Sequence, residues 1–124
     1  MLLIDANAIL RYMLNDNPDM ALKTRDLISK SKIFTRYEVL AEVIYVLNKV
    51  YLLPRIEISE GIKVFLLHPN METESEEVMT LALETYANTN MDFVDCVLYS
   101  FNKSCGYGVF TFDKQLNSMI NKIN

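Results

Sequence analysis

Short apolar runs alternate with helix-length amphipathic segments along nearly the whole chain, and this alternation limits the fold more than any other feature. Residues 1–4 (MLLI), Lys32–Thr35 and Tyr107–Phe112 (YGVFTF) have the length and the β-branched or aromatic content of short strands. The segments between and after them read as helices. Residues 7–14 stop in the turn-rich stretch around Pro18, and 19–30 place Ala21, Leu22, Arg25, Leu27 and Ile28 at amphipathic spacing. Residues 36–51 form the longest helix, closed by Pro54, and Ser59 caps a helix running through Leu67. Ser75, followed by Glu76 and Glu77, opens a helix to about Ala87, and Asp92–Asn102 and Lys114–Ile120 complete the set. Three Gly and three Pro in 124 residues argue against a loop-rich all-β chain. Strands separated by helices pair in parallel through long crossovers, so the expected class is α/β with helices on the faces of a parallel sheet.

The chain reads as one domain, residues 1–124, with no internal repeat, low-complexity segment or linker. Its composition, 51% apolar and 23% charged, is that of a globular protein rather than a disordered one. The opening MLLI is too short for a signal peptide and meets Asp5 at once, and no stretch approaches a membrane span. Cys96 and Cys105 are too few for a disulfide framework and have no His or Cys cluster beside them for zinc. They read as reduced thiols, and the expected location is the cytoplasm. The single His68, just before Pro69, reads as a surface or capping residue and not as a catalytic base.

Four acids stand where a carboxylate is costly: Asp5, Glu42, Asp95 and Asp113. Glu42 is the sole charge in Val39–Leu47 (VLAEVIYVL), and on so apolar a helix a buried carboxylate must be paired, protonated or bound to metal. Asp95, between Phe93, Val94, Val97 and Leu98, is expected to face inward. Asp5 and Asp113 directly follow the first and last predicted strands. Ligands of parallel sheets bind at the carboxyl ends of the strands, which is the edge where both are expected to emerge. Each acid also has a plainer role open to it. Asp5 and Asp113 suit helix N-caps, Asp92-x-x-Asp95 resembles a capping box, and Glu42 suits a structural hydrogen bond.

Four carboxylates about 5–6 Å apart repel by about 3 kcal/mol per pair at an effective dielectric near 20. A hard divalent cation removes that repulsion, and oxygen donors without His or Cys suit Mg²⁺ or Mn²⁺. Hydrolysis of a phosphodiester is the chemistry such a set serves, since a divalent ion acidifies water and clamps phosphate oxygens. The net charge of −4 argues against a nucleic-acid partner only at first sight. With the four acids set aside, 12 acids face 12 Lys and Arg, so local basic patches stay available.

The chain resembles a PIN domain, and within that family the small VapC-type toxins of toxin–antitoxin pairs. The motifs run in order: a strand ending Asp-x-Asn (LLIDANAILRY), a Glu within an apolar helix (YEVLAEVIYVL), a helix-opening acidic stretch (MDFVDCVLY) and a strand-end Asp (VFTFDK). The resemblance covers almost the full length. It implies a three-layer α/β/α sandwich with a short central parallel sheet, and Asp5, Glu42, Asp95 and Asp113 as the metal-binding acids. Asp92 matches a further acid one turn before Asp95, as ligand or partner of a ligand. Asn7 matches the polar residue after the first Asp, and Thr111 the hydroxyl of a Thr-x-Asp. Ala6 departs from the pattern, standing where many relatives carry Thr or Ser.

The same resemblance implies an Mg²⁺- or Mn²⁺-dependent endoribonuclease that leaves 5′-phosphate and 3′-hydroxyl ends. It also implies a homodimer held in check by a cognate antitoxin. Arg11, one turn from Asn7, is a candidate phosphate contact with a solvated helix residue as its plainer reading, and Lys114 is a weaker one. The aromatics Tyr12, Tyr37, Tyr45 and Phe93 read as core, and none is named as an RNA contact. The competing class is a non-catalytic PIN-like module binding protein or RNA, its acids serving as caps and buried hydrogen bonds. A phosphohydrolase using an aspartyl nucleophile is disfavoured by the lack of a Gly-rich phosphate loop and of an Asp-x-Asp pair.

Overall fold

The structure, a computed structural model, describes residues 1–121. Its contacts divide the chain into two compact units, Met1–Glu74 and Ser75–Asn124. The first holds a three-stranded parallel sheet of β1 (Leu2–Leu3), β2 (Ile33–Phe34) and β3 (Met71–Glu72), in the order β1-β2-β3. Leu2 pairs with Ile33 and Ile33 with Met71, so all three strands end level at one carboxyl edge. The crossovers are helical: α1 (Ala6–Leu14) and α2 (Pro18–Lys30), then α3 (Tyr37–Lys49) and α4 (Arg55–Leu66). The second unit is helical among its described residues, with α5 (Glu76–Asn88), α6 (Phe93–Cys105) and α7 (Lys114–Ile120). The class is therefore α/β with a short parallel sheet, as the alternation of segments requires.

The helices follow from local chemistry. Asp5, Asn17, Ser75 and Asp113 each accept a hydrogen bond from a first-turn N–H, satisfying one of the orphan donors at a helix start. The start of α3 is capped from far along the chain instead: Glu74 Oε1 accepts the Tyr37 N–H at 2.9 Å, while Arg36 Nε pairs with Glu38. In the first unit Ile9, Ile33, Leu40, Ile44 and Leu47 are fully buried, each contributing about 1.5–3 kcal/mol. In the second, Met79, Leu83, Cys96 and Leu116 fill that place, and Tyr86 meets Phe93 edge to face between α5 and α6.

Several expectations are corrected. Tyr107–Phe112 is not a strand. No strand lies in its own unit to pair with it among the described residues, and its backbone is engaged locally. Asn102 Nδ2 donates to the Tyr107 carbonyl, and Asn117 Nδ2 to that of Thr111, bonds that compete with a ladder. The third strand is β3, which has no apolar run to mark it in the sequence, with Ile33 N–H donating to the Asn70 carbonyl at 2.9 Å. Ser59 caps nothing: Pro54, extended at φ −63° and ψ 147°, precedes α4, and Ser59 is buried inside that helix. On α2, Ala21, Thr24 and Ile28 are the buried stripe, whereas Leu22 and Leu27 face out, one residue off its axis.

Candidate active site

The expected site residues fall into both units, and each set has its own geometry. In Met1–Glu74, β1 leads through buried Ile4 to Asp5 at the carboxyl edge of the sheet. Asp5 is the N-cap of α1: its Oδ1 accepts the Ala8 N–H at 2.9 Å, which leaves Oδ2 outside that bond. Asn7 is exposed in the first turn. Arg11, one turn on, is half-buried rather than solvated, and its Nη1 lies 2.9 Å from an Asp16 carboxylate oxygen. Its Nε is buried without a hydrogen-bond partner. At the same edge of the sheet, Glu74 follows β3 as Asp5 follows β1, a position the sequence did not single out because no apolar run precedes it.

Glu42 is exposed, which corrects the expectation of a carboxylate on a buried face. At 3.6 residues per turn, Leu40, Val43, Ile44 and Leu47 form one stripe, and Glu42 lies about 200° round the helix from Leu40. It shares the outer face with Glu38, Tyr45 and Lys49. The run around it is apolar because flanking Val39 and Val46 are half-buried, not because Glu42 is enclosed.

In Ser75–Asn124 three carboxylates stand at helix starts, and Asp95 feels the charges of the other two. Asp92 occupies the N-cap position of α6 but makes no capping bond with its side chain. Asp95, in the first turn of α6, is half-buried. Asp113 is the N-cap of α7, its Oδ1 accepting the Leu116 N–H at 2.8 Å. The Thr-x-Asp pattern has a structural reason: Thr111 Oγ1 accepts the Asp113 N–H at 3.0 Å and fixes the backbone that carries the acid. Gln115 Nε2 donates to Asn90 Oδ1 at 2.7 Å, tying the start of α7 to the loop that carries Asp92. Burial raises the Asp95 carboxyl above its ordinary value, and the negative charges of Asp113 and then Asp92 raise it further.

The donors available here are carboxylate oxygens alone, a set that fits a hard divalent cation. Such an ion would also offset the like-charge field that Asp95 feels. With the side chains as they stand, no group of three or more His, Cys, Asp or Glu among the described residues is gathered closely enough to hold a metal ion. Cys96 is buried with its thiol toward the Met91 carbonyl, Cys105 is exposed, and neither is in a disulfide. No helix of the described residues is long and apolar enough to cross a membrane.

A family model, the PIN domain, matches residues 2–121. The chain belongs to the PIN domain family. PIN domains make up a superfamily of nucleases that generally work with divalent metals such as Mg²⁺, which is the chemistry the three carboxylates suit. The PIN match includes Asp5, Glu42, Asp92, Asp95 and Asp113, and so spans both compact units. No curated protein and no solved structure matches the chain significantly.

Proposed function

We propose that this PIN domain is an Mg²⁺- or Mn²⁺-dependent endoribonuclease, the toxin of a VapC-type type II toxin–antitoxin pair. In this reading it acts in the cytoplasm as a homodimer inhibited by a cognate antitoxin. The observation that carries it is the Asp95 carboxyl, raised by burial and then by the negative charges of Asp113 and Asp92 at the starts of α7 and α6. Carboxylates are brought together against their own repulsion where a cation is to be held. The toxin assignment rests on the order of the sequence motifs within the PIN match.

In the second unit Asp95 and Asp113 would hold the metal, joined by Asp92 directly or through water, while Asp5 and Glu42 are the acids that the resemblance assigns in the first unit. Bound there, the divalent ion supplies Lewis acidity for in-line attack of water on the phosphodiester. Each residue of the chain then has a defined part. Asp5 and Asp113 are oriented by their capping bonds, one oxygen fixed to the helix start and the other left for the ligand. Thr111 positions Asp113 through the hydrogen bond from its N–H. Asn7, in the first turn of α1, holds a water or a phosphate oxygen. Arg11 is held by Asp16 through Nη1, and a phosphate in its reach would share the guanidinium with that carboxylate.

The deciding experiment is a thermal-shift titration with Mg²⁺ and Mn²⁺ on the wild type and Asp95→Asn, followed by cleavage of an end-labelled RNA. Ligand that binds only the folded state raises stability as RT ln(1 + [L]/Kd), so a millimolar site is visible at about 10 mM metal. Stabilisation in the wild type that disappears in the variant, together with metal-dependent cleavage, is the expected result. The non-catalytic reading keeps one observation on its side, the capping by Asp5 and Asp113 with Glu42 out in solvent. It requires no metal-dependent shift and no cleavage in either protein.

A further inference from the structure

The stretch between α6 and α7 carries three aromatic rings in solvent. Tyr107, Phe110 and Phe112 are 61%, 84% and 90% exposed. Phe110 and Phe112 meet edge to face, with centroids 5.3 Å apart and planes at 78°, so broad ring surface stays open to a ligand. Nothing stands within 4 Å of where a Cβ on Gly108 would be, so the approach along the backbone is clear as well.

We propose that Phe110 and Phe112 are a stacking platform for the bases of single-stranded RNA, which sets the adjoining phosphodiester beside Asp113. The proposal rests on the nuclease reading above and names how that site takes hold of its substrate. Its first support is chemical. The large apolar side chains exposed in this segment are all aromatic, and every base offers a π-face to such rings whatever its identity. Continuity is the second. Phe112 directly precedes Asp113, and the backbone between them is braced by the bonds to Thr111 Oγ1 and to the Thr111 carbonyl. A base stacked here therefore lies on the same fixed segment as the acid. Charge is the third: Lys114, exposed on the far side of Asp113, offers a cation to the phosphate backbone that the carboxylates alone would repel. A peptide adding itself as a strand is the weaker occupant, because the Tyr107 and Thr111 carbonyls and the Asp113 N–H already have partners.

The test is binding of a short 5′-fluorescein-labelled oligouridylate in EDTA, where no cleavage intervenes, to the wild type, Phe110→Leu, Phe112→Leu and the double variant. Leu keeps an apolar side chain and removes the π-face, and the positions are exposed enough for circular dichroism and the melting temperature to stay unchanged. Each single variant should weaken binding by about five-fold or more, and the double variant by more than either. The chain has no Trp, so Phe112→Trp adds a lone reporter. Its emission should be quenched by the single strand and not by the same sequence in a duplex. Leu variants that bind like the wild type, or a Trp unmoved at saturating RNA, overturn the platform. If metal stabilisation and cleavage persist in that case, the nuclease reading stands without it. A wild type that binds no RNA in EDTA overturns the platform, and one that also shows no metal shift takes down the nuclease reading with it. A change confined to self-association overturns the proposal and gives these rings to a second copy of the chain.

Discussion

Asp5 and Asp113 each serve a helix with one oxygen and keep the other outside that bond, so a capping role does not rule out the proposed metal binding at the same residue. That makes the choice of substitution informative. Asn caps about as well as Asp, so Asp5→Asn and Asp113→Asn should lose metal-dependent cleavage with a nearly unchanged melting temperature. Asp5→Ala also removes the acceptor for the Ala8 N–H and should cost about 1 kcal/mol in urea unfolding. A fully active Asp5→Asn protein sinks the metal site. Asp95 differs because it caps nothing. Its carboxyl is raised above the ordinary 3.8 by burial and then by Asp113 and Asp92, so the folded state holds that proton more tightly than the unfolded chain. The resulting stability is fully present below the ordinary value and is lost as pH rises through the raised one. At neutral pH without metal, the ionised Asp95 is therefore a strain on the fold. Asp95→Asn should melt higher than the wild type in EDTA at pH 7, with the gap closing in acid. An Asn variant that melts lower at pH 7 would show that the carboxylate is stabilised by something other than these neighbours.

At the level of elements, what could be read from sequence was what local chemistry decides. The helices were legible because a 3.6-residue period and a capping side chain lie within one turn of each other, as with Ser75 before α5 and Asp113 before α7. Asp113 could be placed at a helix start without knowing any partner. The strand expected at Tyr107–Phe112 depended on a neighbour that sequence does not reveal, and in its place side chains of Asn102 and Asn117 took up the carbonyls. Glu42 failed for a related reason. In VLAEVIYVL the apolar residues surround it on both sides, so composition cannot say which face the core takes; packing of Leu40, Ile44 and Leu47 decides. The turn between α3 and α4 carries a further consequence. Leu52 is exposed with φ +57°, a left-handed conformation that costs a residue with a Cβ about 1–2 kcal/mol. Gly occupies that region without strain but gives up more chain entropy on folding. Leu52→Gly should raise stability by up to about 1 kcal/mol in urea unfolding. A clear loss instead would mean that the Leu52 side chain has a contact worth more than the strain.

For the whole molecule, the decisive quantity is charge. A net charge of −4 gives no long-range attraction to a polyanion, so RNA is held either by local basic side chains or through a cation. The two modes respond oppositely to divalent ions. Where Lys and Arg contact phosphates, added divalent cation competes for them and binding falls. Where a cation sits between carboxylates and phosphate, the same ion completes the site, and the repulsion felt by Asp95 becomes an attraction shared with the RNA. Titrating Ca²⁺ at constant ionic strength into the protein with a labelled single-stranded RNA separates these cases. Affinity should rise several-fold over the millimolar range in the wild type, and the rise should be lost in Asp95→Asn. The base-stacking contribution of Phe110 and Phe112 should persist in both, because it needs no ion. Binding that only weakens as Ca²⁺ is added would mean that the RNA is held by basic side chains. Asp92, Asp95 and Asp113 would then have to be accounted for as helix-start residues alone.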